Sequence, residues 1–190
     1  VPLTYVYKSG PVDQFDKPEQ VWMEPADQYS YFKLPDEAAS DDWYLANANM
    51  VGFYLVNYED DNWQRLLDQA ATDPSVFPPE TKVGLIVETL YLMQAEVIPS
   101  YIYQNFSTYL GPSSRRTRRA VVATSSYFAK MLLSNDTGQS PSTSSSSVQN
   151  YMQQLIEPLY AESGWNDTFT SDVPRHRGKK PQFDVTSAAC

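Results

Sequence analysis

The chain has 190 residues, 42% hydrophobic and 19% charged, with 14 Tyr, 8 Phe and 4 Trp; that much apolar and aromatic surface offsets the ordering entropy of one core or of two small packed modules. A formal net charge of -9 repels phosphate backbones and anionic lipid heads, which excludes nucleic acid as a partner. No apolar run approaches the roughly 18 residues a membrane-spanning helix needs.

Val1, Leu3, Tyr5 and Tyr7 share one parity up to Lys8, the period of a half-buried strand, and Ser9-Gly10-Pro11 breaks it. Val21-Trp22-Met23 and Tyr29 to Leu34 read as further short strands bounded by Pro25 and Pro35. Val51 to Tyr58 is rich in β-branched and aromatic residues and predicts another. Residues 1–58 are therefore expected to form antiparallel strands.

After Tyr58 the period changes. Asp60 or Asp61 can cap a helix carrying Trp63, Leu66 and Leu67. Pro78-Pro79-Glu80 opens a longer helix to about Ala95, with Val83, Ile86, Val87, Leu90 and Tyr91 at helical spacing. Pro99 opens a helix through Leu110, ended by Gly111-Pro112. Ser113 or Ser114 caps the next, whose apolar face includes Val121, Val122, Phe128, Met131 and Leu132. The tract from Ser134 to Ser147 has the composition of a flexible linker, and a helix with Met152, Leu155, Ile156 and Leu159 on one side follows between Val148 and Glu162. Strands followed by helices predict an α+β chain in two segregated parts, 1–58 and 59–190, with a flexible Ser-rich loop at 134–147.

Three glycosylation sequons begin at Asn105, Asn135 and Asn166, where chance predicts roughly one. With the Ser-rich tract they point to an extracellular or cell-surface protein that passes through the secretory pathway; an ordinary polar loop with accidental sequons is the alternative. The start at Val1, with no initiator Met, basic n-region or apolar h-region, reads as a processed or excised end. The one cysteine, Cys190, cannot close a disulfide within the chain.

Candidate chemistry is thin. The one histidine, His176, stands between Arg175 and Arg177, which disfavour its protonated form; it reads as a solvated loop residue more readily than as a general base. No G-x-S-x-G elbow and no Gly-rich phosphate loop is present. Arg115 to Arg119 contains R-x-x-R spacing twice and reads as a charged helix start, with proteolytic cleavage as the alternative. Tyr91, Tyr101, Tyr103 and Tyr109 form either a recognition surface or a core edge.

Trp43-Tyr44-Leu45-Ala46-Asn47, Gly52-Phe53-Tyr54, Val56-Asn57-Tyr58, Trp63 and Leu66-Leu67 together resemble the aminopeptidase N family of zinc metalloaminopeptidases, at the passage from its β-sandwich domain to its helical C-terminal domain. Pro2-Leu3-Thr4-Tyr5, Gly164-Trp165-Asn166 and Ala188-Ala189-Cys190 are similar to flanking parts of the same family. The resemblance implies an antiparallel sandwich portion followed by a helical-hairpin, solenoid-like portion, and a partner for Cys190 outside the chain. The sequence departs from the family at Leu55, where Arg is usual, at Lys82, and at Val87-Glu88, where paired acidic residues are usual.

The family's catalysis uses an H-E-x-x-H helix, a downstream Glu and a G-x-M-E-N strand; none occurs here. The resemblance therefore implies a chain with no catalytic residue, metal ligand or cofactor of its own, and zinc in the parent protein. Its partners would be the remainder of an aminopeptidase chain and, in the parent, peptide substrates. The alternatives are a binding or receptor ectodomain of a catalytically degenerate homologue, with a protein ligand, and an unrelated sandwich-plus-helix adhesion protein.

Overall fold

In the computed structural model of the chain, β1 (Pro2–Tyr7) lies between β2 (Glu19–Trp22) and β3 (Tyr44–Ala46) in a three-stranded antiparallel sheet. Residues 2–23, 40–134, 150–155 and 157 are described, with side chains as far as 129 in the fourth helix. The register sets Leu3 opposite Val21 and Val6 opposite Leu45. Thr4 to Tyr7 are all buried, so the parity of Leu3, Tyr5 and Tyr7 does not select one face: this central strand is covered on both. Tyr29 to Leu34 lies outside the described residues.

The strand expected at Val51 to Tyr58 is a correction. Those residues form no strand pairing to any described residue, Gly52 and Phe53 lie in a bend, and their burial alternates, with Val51, Phe53 and Leu55 exposed and Gly52, Tyr54 and Val56 half-buried. The β-forming composition thus does not produce a ladder here, and hydrogen bonds to Gly52 and Tyr54 come from a side chain, Asn47.

Among the described residues up to 134, four helices follow: α1 (Asp60–Thr72), α2 (Pro79–Gln94), α3 (Ser100–Leu110) and α4 (Arg115–Ser134); residues 150–155 and 157 are helical as well. The proline punctuation places two of these starts, α2 and α3, because Pro tolerates a helix's first turn and not its interior. At α1 the N-cap is Glu59, with no side-chain cap bond, and Asp60 and Asp61 sit inside the first turn. They act there through the helix dipole rather than as caps.

The chain divides into two units, Val1–Leu110 and Gly111–Cys190. In the first, α3 packs on both α1 and α2, and α2 packs on a short turn at Ala48–Met50. The core holds Val6, Trp43, Leu45, Trp63, Leu66, Phe77, Ile86, Ile102 and Phe106. An aromatic chain runs through it: Tyr44 meets Tyr58 edge-on at 5.7 Å, Tyr58 meets Trp63 at 4.8 Å, and Trp63 meets Phe106 at 6.1 Å. The face of α2 differs from the apolar spacing. Ile86 and Leu90 are buried, Val83 and Val87 only half-buried and Tyr91 exposed, while Thr81, Lys82, Glu88 and Thr89 are buried. Thr81 and Glu88 have partners on the 47–49 turn, and Thr89 bonds back to Leu85 O and Ile86 O.

In the second unit, Ser114 and Thr117 open α4 reciprocally. The Ser114 N–H donates to Thr117 Oγ1 at 2.9 Å, and the Thr117 N–H donates to Ser114 Oγ at 3.1 Å, a capping box with Thr in the usual Glu place. Arg115 to Arg119 accordingly lies in the first turns of a helix. Val121, Val122 and Phe128 are buried, and Phe128 meets Tyr151 edge-on at 6.1 Å. Met131, Leu132, Ile156 and Leu159, and the Ser-rich loop, lie outside the described side chains or residues; Leu155 is buried and Met152 half-buried.

Candidate functional site

The residues that chemistry singles out converge where β3 meets α1 and α2. On the β1 side, Lys8 N–H donates to Trp43 O at 3.0 Å and Asn47 N–H to Thr4 O at 2.8 Å. By antiparallel alternation the peptide groups of Tyr44 and Ala46 then point to the other edge of β3. Side chains meet them there. Asn62 of α1 accepts from Tyr44 N–H at 3.0 Å and donates to Tyr44 O at 2.9 Å. The Tyr58 hydroxyl accepts from Ala46 N–H at 2.9 Å and donates to Ala46 O at 3.5 Å. Two side chains thus occupy the place of a neighbouring strand and close the edge.

Asn47 is the second hub. It is buried at φ 54°, in the left-handed region that Asn tolerates better than most residues. Its Oδ1 accepts from Gly52 N–H at 2.8 Å. Its Nδ2 donates to Gly52 O at 3.1 Å, Tyr54 O at 3.2 Å and Glu88 Oε1 at 3.2 Å. A Cβ at Gly52 would lie 2.0 Å from Cε1 of the Tyr54 ring, so a side chain there would have to displace that ring. Asn49, also left-handed, donates from Nδ2 to Phe15 O at 2.5 Å and accepts at Oδ1 from Thr81 Oγ1 at 3.1 Å. One short turn therefore ties the β1–β2 connection, the 52–54 segment and α2 together.

The electrostatics follow from burial. Glu88 is 7% exposed; desolvation pushes its carboxyl up to about 7, against the opposing Asn47 hydrogen bond. It borders a half-open cleft lined by Leu45, Ala46, Asn47, Met50, Thr81, Gly84 and Leu85, with about 10 Å³ of free space, room for one water. The Tyr44 phenol, desolvated and hydrogen-bonded to Glu59, is pushed up to about 12. Burial raises Tyr58 further, and burial lowers the Lys82 ammonium, with Asp73 acting in the opposite sense. A proton-holding carboxyl in so small a cleft has no reach to a substrate bond. This arrangement joins elements; it does not present reactive groups.

Asn105 lies half-buried on α3, while Asn135, Asn166, His176 and Cys190 lie outside the described residues. The tyrosine set is divided: Tyr103 is buried, and Tyr91, Tyr101 and Tyr109 are exposed. Leu55 is exposed. Among the described residues no three His, Cys, Asp or Glu side chains come together as a metal site, and no helix is long and apolar enough to cross a membrane. Asn62 carries no signal in the sequence, where it follows Asp60 and Asp61, and Glu88 stands out there only beside Val87, where paired acidic residues are usual.

Aminopeptidase N from Canis lupus familiaris is 28% identical over 143 residues, covering 70% of this chain and 14% of that protein. Aminopeptidase N from Bos taurus is 26% identical over 163 residues, 84% of this chain and 15% of that protein. Aminopeptidase A from Gloydius brevicauda is 29% identical over 135 residues, 70% of this chain and 13% of that protein. The chain thus spans only 13–15% of the length of these relatives. The family profile described as "ERAP1-like C-terminal domain" matches residues 43–190, beginning at Trp43, one residue before β3 and its sealed edge. That match covers well over half of the sequence, and the chain belongs to the ERAP1-like C-terminal domain family of the aminopeptidases.

Proposed function

We propose that this chain is a non-catalytic, architectural segment of an extracellular zinc aminopeptidase that removes N-terminal residues from peptides. Residues 1–58 are the end of a β-sandwich domain, and residues 59–190 are the first part of an all-α domain of solenoid-like helical hairpins. The segment braces the catalytic domain and helps enclose the active site, limiting which peptides enter and excluding water. In this reading its partner is the rest of the aminopeptidase chain, and Cys190 pairs with a cysteine beyond it. Glycans on Asn105, Asn135 and Asn166 mark its passage through the secretory pathway.

One observation carries this reading: the residues of the Trp43 to Trp63 stretch spend their polar groups on joining sheet to helices. Asn62 and Tyr58 close the β3 edge, Asn47 ties the 52–54 segment to α2, and Trp63 Nε1 donates to Asn57 Oδ1 at 3.1 Å. The zinc of the parent belongs to other residues, since a chain with a single His cannot supply an H-E-x-x-H pair.

The test uses the full parent chain. Asn62→Ala with Tyr58→Phe is expected to shorten the half-life of its aminopeptidase activity on heating while leaving KM for an aminoacyl chromophore unchanged. An unaltered half-life sinks the bracing role. The isolated 190-residue chain with added zinc is expected to release no chromophore, and measurable turnover overturns the reading.

The exposed apolar row Val51, Phe53 and Leu55 favours a second reading, a receptor ectodomain of a catalytically degenerate homologue. The parent gene separates the two: an intact H-E-x-x-H with its third Glu supports the enzyme, and loss of either His or of the base Glu supports the receptor.

A further inference from the structure

Asn105 and Ser107 are the two reacting ends of one sequon, and α3 separates them. Successive helical residues turn by about 100°, so positions two apart lie roughly 200° from each other around the axis. Asn105 is half-buried toward the outer side of α3, with Tyr101 (48% exposed) one turn before it and Tyr109 (37% exposed) one turn after. Ser107 is 1% exposed and faces the core beside the fully buried Phe106, and its Oγ has no hydrogen-bond partner among the described residues.

An unpaired hydroxyl in an apolar core destabilises a fold, and an alanine would occupy the same space without that penalty. Among the described residues the fold makes no use of this oxygen. The sequon does, because transfer of a glycan to Asn requires Ser or Thr two positions on.

We propose that Asn105 carries an N-linked oligosaccharide attached before α3 packs, and that the Ser107 hydroxyl serves this transfer alone. In the folded helix the amide and the hydroxyl point to opposite sides, so one transferase site cannot engage both. In the extended chain it can. The step joins Asn105 Nδ2 to C1 of the reducing-end sugar of a lipid-diphosphate-linked oligosaccharide. The C–O bond to the diphosphate breaks, the lipid diphosphate leaves with that electron pair, and the amide gives up one proton. On folding, Ser107 turns inward and the glycan is left on the outer face between Tyr101 and Tyr109, whose rings offer flat apolar surface to a sugar.

The inference rests on the secretory reading above, and its test separates the two. The parent protein is expressed through the secretory pathway of cultured cells, and each sequon is read by enzymatic deglycosylation in heavy-oxygen water with mass spectrometry. Asn105 is expected to be occupied, Asn105→Gln and Ser107→Ala each to lose that glycan, and Ser107→Thr to keep it. Between the two glycan-free variants, Ser107→Ala is expected to unfold about 2–4 °C above Asn105→Gln. In cell-free transfer, folded protein made without glycan is expected to be a poor acceptor and its urea-unfolded chain a good one. An empty Asn105 beside an occupied Asn135 or Asn166 overturns the inference and leaves the secretory reading standing; three empty sequons overturn both. Equal transfer to folded and unfolded chains overturns the order of events, and a Ser107→Ala midpoint at or below that of Asn105→Gln overturns the role given to the hydroxyl.

Discussion

The side-chain amide of Asn62 forms two hydrogen bonds with the backbone of Tyr44, accepting from its N–H at 3.0 Å and donating to its carbonyl at 2.9 Å. It stands where the peptide group of a fourth strand would stand, and it comes from the first turn of a helix. Asn62 is fully buried, so no water can replace either bond. Asn62→Ala leaves a peptide donor and acceptor unpaired and is expected to lower stability by about 1–3 kcal/mol. Asn62→Asp keeps the acceptor and loses the donor, and the urea midpoint of that variant should recover partly on lowering the pH. Equal midpoints for wild type and Asn62→Ala would remove the edge-closing role.

Tyr58 performs the same service one peptide pair along β3. Its ring stays wedged between Tyr44 and Trp63 whether or not it carries a hydroxyl, so Tyr58→Phe isolates the oxygen. The expected loss is about 1–2 kcal/mol, and the Ala46 amide should exchange with solvent on the order of ten times faster. Unchanged exchange at Ala46 would show that the hydroxyl bond contributes nothing.

Glu88 makes stability depend on pH near neutrality. Its carboxyl titrates near 4.5 when unfolded and is raised to about 7 in the fold, so the folded chain holds the proton more tightly. The stability this contributes is fully present below pH 4.5 and is lost as pH rises through about 7, by about 3 kcal/mol in all. Glu88→Gln keeps an oxygen for Asn47 Nδ2 and removes the titration. Its stability should be flat across this window and should exceed that of wild type above pH 7. Parallel stability curves for wild type and Glu88→Gln between pH 5 and 8 would contradict the assignment.

Thr117 anchors the start of α4 through its reciprocal bonds with Ser114. Thr117→Ala is expected to cost about 1 kcal/mol, and Thr117→Ser, which keeps the oxygen, clearly less. Chemical denaturation monitored by amide exchange at Ser114 and Thr117 checks this, and equal losses in both variants would assign the effect to the methyl group instead.

The helices were legible because their boundaries are written in local chemistry. Pro79 and Ser100 follow prolines that restrict the backbone, and Ser114 accepts from a neighbouring N–H whatever lies further off. The 51–58 segment shows where local chemistry falls short. β-branched and aromatic residues favour a strand, yet a ladder also needs a partner strand, and here the Asn47 side chain takes hydrogen bonds at Gly52 and Tyr54. Periodicity also missed the buried face of α2, because Thr81 and Glu88 are polar residues whose burial depends on partners 32 and 41 positions away.

The sequence by itself determined that strands precede helices, the family resemblance carried by Trp43 to Trp63, and the absence of an H-E-x-x-H motif, since each is a matter of neighbouring residues. Only the tertiary structure decided what Asn47, Tyr58, Asn62 and Glu88 do, and that Ser107 is sealed inside while Asn105 lies toward the outside. An Asn or a Glu reads the same in sequence whether water or a distant peptide satisfies it. Burial settles which, and burial arises when β3, α1 and α2 come together.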